Sequence, residues 1–292
     1  MPLTSDASAA WLHDPALGRW LSFSNPHGWL VALKLSEVAA VVAEAEAAVE
    51  RGWWAVGWIA YEAAGAFDAA LETRSAEPGL PLVRFGLYPP PTLSLAVPEA
   101  EPADVSLEPD LGLGAYRERI DRVRSAIARG DTYQVNLTLR LEGDFRDDPW
   151  RLFRRLQAAQ PGGYGAYLES PTHVVASASP ELFWRLDGDA ITMRPMKGTR
   201  RRGRWPAEDR ALAEELIGSE KDRAENVMIV DMARNDLGRI ARLGSVNVPT
   251  LFEVEPYPTV WQMTSTVAAT TRAGLGDILK ACFPCASITG AP

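Results

Sequence analysis

"YGAYLESPTHVVASASPELFWRLDGDAITMRPM" spans Tyr164 to Met196. It divides into four short blocks, "YGAYLES", "HVVASAS", "ELFWRLDGD" and "AITMRPM", rich in aromatic, β-branched and small residues. Each block has strand length, and proline, glycine or an Asp–Gly step stands at the joints. Connections this short cannot hold a crossover helix, so the four strands run antiparallel.

Outward from this block, strands and helices alternate in runs. Upstream, "WRLFRRLQAAQPGG" reads as a short helix and "TYQVNLTLRLEG" as an alternating strand. "GAYRERIDRVRSAIARGD" places Tyr116, Ile120, Val123 and Ile127 at helical spacing, with Gly130 as its stop. Downstream, "AEDRALAEELIGSEKDRAENVMIVDMARNDLGRIA" predicts two helices broken near Gly218, followed by the strands "SVNVPTLFEVEPY" and "VWQMTSTVAATT". Nearer the N-terminus, "LKLSEVAAVVAEAEAAVERG" predicts an amphipathic helix capped by Ser36 and stopped at Gly52, and "WWAVGWIAYEAA" and "LVRFGLY" predict strands. There is no repeat and no Rossmann glycine pattern, so the class is α+β. The proline- and acid-rich stretch after Pro89 is the best boundary. It sets off an N-terminal part, 1–95, and a connection, 96–111, from a C-terminal region, 112–292.

The chain has 292 residues, 47% of them hydrophobic, enough for a sizeable core. Its net charge of −8 argues against nucleic acid as a partner. No apolar stretch reaches membrane-span length, and the N-terminus lacks a basic start followed by an apolar block, so the cytoplasm is the expected location. The two cysteines, Cys282 and Cys285 in "CFPC", are too few to staple an extracellular scaffold, and only His13, His27 and His173 could help them bind zinc.

Several groups could do chemistry. Glu181 follows Pro180 and small residues, a pattern that presents one carboxylate at a strand start. It is a solvated strand-end acid or a general acid. Asp222 and Glu225 are three apart on one helix face and form either a solvated pair or a partial site for a hard cation. Asp231, Arg234, Asn235 and Asp236 read as an internal ion-pair and capping network, with direct substrate contact as the alternative. "SITGAP" is a small-residue turn able to bring backbone N–H groups to an anion. In "MRPMKGTRRRG", Lys197 is flanked by Arg194, Arg200, Arg201 and Arg202. It is a surface charge, or an amine whose proton is easier to lose beside other cations.

Six motifs then occur in one order: "GDTYQVNLT", "SASPELF", "MRPMKGTRRRG", "GSEKDRAENVMIVDMARNDLGR", "YPTVWQMTSTV" and "FPCASITGAP". Together they resemble the chorismate-utilising enzymes, over roughly Gly112 to Pro292, and "GWIAYEAAGAFD" extends the resemblance towards the N-terminus. The resemblance implies two large antiparallel sheets packed face to face with outer helices. It implies Mg²⁺ held by Glu225 with Asp222, and chorismate held by Gly198, Thr199, Gln262 and the Thr289–Gly290–Ala291 backbone. Lys197 would be the nucleophile and Glu181 the acid. Within the family a lysine at this place marks the members that aminate C4 of chorismate, whereas alanine marks those that make anthranilate. Gln134 stands where the water-using members carry a lysine base. Ammonia is expected from a separate glutamine amidotransferase subunit, since no glutaminase nucleophile turn surrounds either cysteine. Gln262 replaces a histidine frequent in the family and cannot carry a proton at neutral pH. The chain stops at Pro292, directly after "SITGAP", where family members continue. The resemblance therefore implies an incomplete catalytic region with little activity alone, and the contrasting expectation is a non-catalytic fragment that binds a ligand or an amidotransferase.

Overall fold

The structure, a computed structural model, describes residues 9–95 and 105–291. Residues 1–8 of the expected N-terminal part, residues 96–104 of the expected connection and residue 292 lie outside the described residues. The chain forms two compact units that interleave along the sequence. One takes Met1–Glu101, Pro149–Glu181 and Thr271–Pro284; the other takes Pro102–Asp148, Leu182–Thr270 and Cys285–Pro292. The first crossing falls in the proline- and acid-rich stretch, and the chain crosses four more times after it. Among the described residues every strand pairing is antiparallel. The class is α+β, built from antiparallel sheets and helices. No helix among the described residues is long and apolar enough to cross a membrane.

The first unit has a five-stranded sheet in the order Val174–Ser179, Tyr164–Glu169, Ala10–Asp14, Arg19–Phe23, Thr92–Ser94. A second sheet holds Gly28–Ala32, Val83–Tyr88 and Trp54–Ile59. Ala10, Phe23, Val56, Tyr88 and Leu168 form a shared buried cluster. The helix Pro149–Ala159 lies on the five-stranded sheet through Phe153, which packs with Trp20 and Tyr167, and through buried Gln157, which donates to the Ser177 carbonyl at 3.0 Å. Gly165 leaves the room for that amide, because a Cβ there would stand 2.2 Å from Gln157 Oε1. The helix Leu35–Glu50 begins two residues earlier than its expected cap allows. Glu37, not Ser36, satisfies its first turn by accepting the backbone N–H groups of Leu33 and Lys34 at 2.8 and 3.1 Å.

The second unit is organised on one long strand, Val260–Thr270. Asn247–Pro256 pairs along one edge. Ala190–Arg194 and Met196–Arg201 share the other edge, and Leu182–Asp187 extends it. Pro195 divides these two short strands, since proline has no N–H for the ladder, while its carbonyl still accepts from Ser265 N at 3.1 Å. The helices Pro206–Gly218 and Glu220–Gly238 break where expected. The second buries Asp222, Asn226, Ile229, Val230, Ala233 and Leu237, a stripe at helical spacing. The expected strand "TYQVNLTLRLEG" shrinks to two short pairings, Gln134–Val135 and Leu141–Glu142. Helix Leu113–Arg129 forms as expected, yet none of its residues is buried, and Ile127 is 41% exposed. Its sequence pattern is amphipathic, but its own unit leaves the apolar stripe only half covered.

Candidate active site

The second unit builds its site around a defect in a strand edge. Met196 pairs with Thr264 and Thr199 pairs with Gln262, so three steps on one strand face two on the other. The extra residue makes a bulge at Lys197–Gly198. Gly198 has φ +97°, a region closed to most side chains, and a Cβ there would lie 3.1 Å from Asp222 Cβ and 3.3 Å from Met263 Cβ. Glycine is therefore needed twice, for its backbone angle and for the close approach of helix Glu220–Gly238. A bulge re-aims the side chain beside it, and here that side chain is Lys197.

Lys197 is half-buried, and its Nζ donates to Asn136 Oδ1 at 3.2 Å. Its own carbonyl accepts from Asn226 Nδ2 at 3.2 Å. Asn226 is 1% exposed and serves as a hub: its oxygen accepts from Ser265 Oγ at 2.6 Å, and Ser265 Oγ in turn accepts from Phe252 N at 3.1 Å. Phe252 has φ +61°, so this hydroxyl also meets the backbone at a strained point. Neither asparagine was singled out from sequence. Asn136 lies inside "GDTYQVNLT" and Asn226 inside "KDRAENVMIV", so the only available signal was membership of a quoted motif.

The C-terminal residues form a ribbon with the segment that carries Asn136. Gly290 pairs with Val135 and Ala291 with Gln134. A Cβ on Gly290 would meet Gln134 O at 2.1 Å, so the glycine is obligatory. Asn136 N donates to Thr289 O at 3.1 Å, and Asn136 Nδ2 donates to Ser287 O at 2.8 Å. Ala286 and Ala291 pack with Ile229 of the long helix. The structure thus joins Lys197, Gly198, Thr289, Gly290 and Ala291 through one helix and one ribbon. Thr199 and Gln262 face each other across the strand pair, with Thr199 Oγ1 donating to Gln262 Oε1 at 2.8 Å. Glu181 belongs to the first unit, where it ends the segment Pro149–Glu181. Its backbone N–H donates to Ser179 Oγ at 3.2 Å around Pro180, which is the tight turn that the sequence suggested.

Asp222 and Glu225 share the face expected of them but differ in partners. Asp222 is 7% exposed; its Oδ2 takes Arg200 Nη2 at 2.9 Å and Ser219 Oγ at 2.5 Å, and its N–H is capped by the same serine. Glu225 meets Lys221 at 3.6 Å, an exposed one-turn pair of little strength. Among the described residues no three His, Cys, Asp or Glu side chains gather as a metal set. Asp222 thus shares an oxygen with a guanidinium and a helix cap, whereas Glu225 carries the weaker contact.

The arginines beside Lys197 are matched by acids. Arg194 bonds Glu255 and lies 3.7 Å from Glu253. Arg200 meets Glu215 at 3.0 Å as well as Asp222. Arg201 and Arg204 converge on Glu208, at 2.6 and 3.5 Å. Arg202 grips Asp209 with two bonds, at 2.9 and 2.5 Å, while stacking over Trp261. The hydrogen bond from Arg201, then the Arg204 backbone N–H, pulls the Glu208 carboxyl down to about 2. Arg202 and the Gly203 N–H hold Asp209 well below the usual carboxylate range. Each of these arginines meets at least one carboxylate, so the run is a set of ion pairs. Farther along the helix, burial raises the Asp236 carboxyl to about 6 against the opposing pull of Asn235 and Arg239. Asp231 pairs with Arg234 at 2.8 Å, but at the surface and not in the interior as expected.

Comparison with known proteins places the chain in a family. The chorismate binding enzyme family matches residues 92–292, and the chain belongs to that family. It is 45% identical over 179 residues to aminodeoxychorismate synthase component 1 of Salmonella typhimurium, an alignment covering 61% of this chain and 39% of that protein. It is 41% identical over 215 residues to the Klebsiella aerogenes protein of the same name, covering 70% of this chain and 48% of that one. Anthranilate synthase component 1 of Aquifex aeolicus is 38% identical over 203 residues, covering 69% and 41%. The chain spans less than half the length of these curated relatives. Anthranilate synthase component I from Streptococcus pneumoniae superposes with a TM-score of 0.71 at 24% identity, covering 82% of this chain and 63% of that one. The menaquinone-specific isochorismate synthase of Escherichia coli gives 0.71 at 14% identity, covering 98% and 70%. At these identities the two structures establish the fold.

Proposed function

We propose that this chain carries the lysine-bearing part of an aminodeoxychorismate synthase component 1, an enzyme that takes chorismate and ammonia to 4-amino-4-deoxychorismate. The observation that carries the reading is Lys197. Its amine is seated on a bulge, held by an amide rather than extended into water, and the chain's aminodeoxychorismate synthase relatives are the more similar ones.

In this reading the neutral Lys197 amine attacks C2 of the chorismate ring, and the ring double bond shifts as the C4 hydroxyl departs. Glu181 gives that oxygen its proton, so the leaving group is water. Ammonia then adds at C4, the double bond returns, and the C2–N bond to Lys197 breaks. One difficult substitution becomes two easier ones through a covalent adduct. Thr199, Gln262 and the Thr289–Ala291 backbone hold substrate oxygens. Glu225, on the helix face it shares with Asp222, would help hold Mg²⁺, and the ion when bound would supply positive charge for a substrate carboxylate. Ammonia comes from a separate glutamine amidotransferase subunit, in keeping with the relatives' designation as component 1.

Intact-mass measurement after exposure to chorismate and Mg²⁺ without ammonia tests this. We expect one adduct, mapped to Lys197 and absent from Lys197→Ala. Product formation by Lys197→Ala at the unsubstituted rate, or a fluorescent 2-aminobenzoate as product, would overturn the reading.

A further inference from the structure

We propose that Asn136 is a positioning residue for Lys197, an amide locked in one orientation whose oxygen tethers the lysine amine. Its catalytic meaning rests on the reading of Lys197 as nucleophile; the tether itself does not.

The lock follows from the partners. The Ser287 carbonyl can only accept, so the group facing it at 2.8 Å is the Asn136 NH₂. The other end of the same amide is then an oxygen, and it faces Lys197 Nζ at 3.2 Å. The backbone of Asn136 cannot turn away, because its N–H is bonded to Thr289 O and its neighbours Gln134 and Val135 are paired with Ala291 and Gly290. Thr132 Oγ1 adds a bond to Ala291 O at 2.7 Å. Both ends of Lys197 therefore trace back to one helix. Its carbonyl reaches it directly through Asn226, and its amine reaches it through Asn136, the ribbon and the Ala291–Ile229 contact.

A lysine has four rotatable side-chain bonds and loses much freedom when fixed, so a second anchor at its tip is what turns a nearby amine into an aimed one. An amide oxygen suits this task because it accepts from an ammonium or from a neutral amine. The same contact also links the amine to residues 287–291. Any ligand that orders that ribbon would order the amine with it.

The chain has four lysines, Lys34, Lys197, Lys221 and Lys280, so carbon-13-labelled lysine gives a spectrum simple enough to assign. We expect the Lys197 side-chain Cε to show inequivalent protons and restricted motion, against averaged signals from Lys221 and Lys280. Asn136→Ala should make Lys197 as mobile as those two, with melting within a few degrees of the parent. Asn136→Asp, which keeps an acceptor oxygen, should retain the restriction. Asn136→Leu, which keeps the bulk without the oxygen, should lose it and serves if the alanine variant does not fold. On the proposed reaction, Asn136→Ala should slow adduct formation ~10-fold or more with the apparent affinity for chorismate little changed. A Lys197 signal already as mobile as Lys221 in the parent, or unchanged in both Asn136→Ala and Asn136→Leu, would overturn the tether. Adduct absent everywhere while the tether is seen would instead overturn the nucleophile reading.

Discussion

Within one strand, Met196–Arg201, and the turn after it, the cationic side chains are treated in two ways. From Arg200 to Arg204 the guanidiniums are met by carboxylates: Asp222 and Glu215, Glu208, Asp209. Three residues earlier, Lys197 is held by amides, Asn136 at its tip and Asn226 at its carbonyl. The arginine end fastens helix Pro206–Gly218 and the start of the next helix to the sheet. The lysine end points an amine by hydrogen bonds to neutral groups. Runs of positive charge in a sequence thus do not share one role; the partner's chemistry separates scaffold from site.

Three substitutions probe that contrast. Asn226→Ala should cost most, about 3 kcal/mol by urea denaturation, because it strands the Lys197 carbonyl and the buried Ser265 hydroxyl at once. An undiminished stability would mean that the hub is not what holds the lysine end. Gly198→Ala should cost about 1–2 kcal/mol through its backbone angle alone. It should also reduce adduct formation more than its stability loss explains, since the bulge aims the amine. Glu208→Gln should leave the adduct intact and change the pH dependence of stability instead. Glu208 has its folded value lowered from 4.5 to about 2, so its contribution is present above about pH 4.5 and is lost as pH falls towards 2. Melting temperatures across pH 2–5 should therefore fall less steeply in the variant. An effect of Glu208→Gln on the Lys197 adduct would erase the division between the two ends.

The strands around Tyr164–Arg194, the break at Gly218 and the antiparallel class were legible because alternation and turn residues act locally. Lys197, Gly198 and the ribbon residues were legible through their motifs. Asn136 and Asn226 were not, because an asparagine in a list of residues looks the same in a turn, a cap or a buried hub. The spacing of Asp222 and Glu225 reported a shared face, but helical periodicity does not report which partner occupies an oxygen. The half-covered stripe of Leu113–Arg129 shows the same limit: period predicts a face, and tertiary neighbours decide how far it is buried. The interleaving of the two units could not be read from composition, because the crossings near Asp148, Glu181 and Thr270 carry no linker signature comparable to the proline-rich one.

That interleaving governs how the polypeptide can be made. Strand Ala10–Asp14 pairs with Tyr164–Glu169, so a ribosome must release residue 168 before the first strand meets that neighbour. Until then an aromatic, strand-prone segment leaves the tunnel with that edge unsatisfied, which is when chaperones matter most.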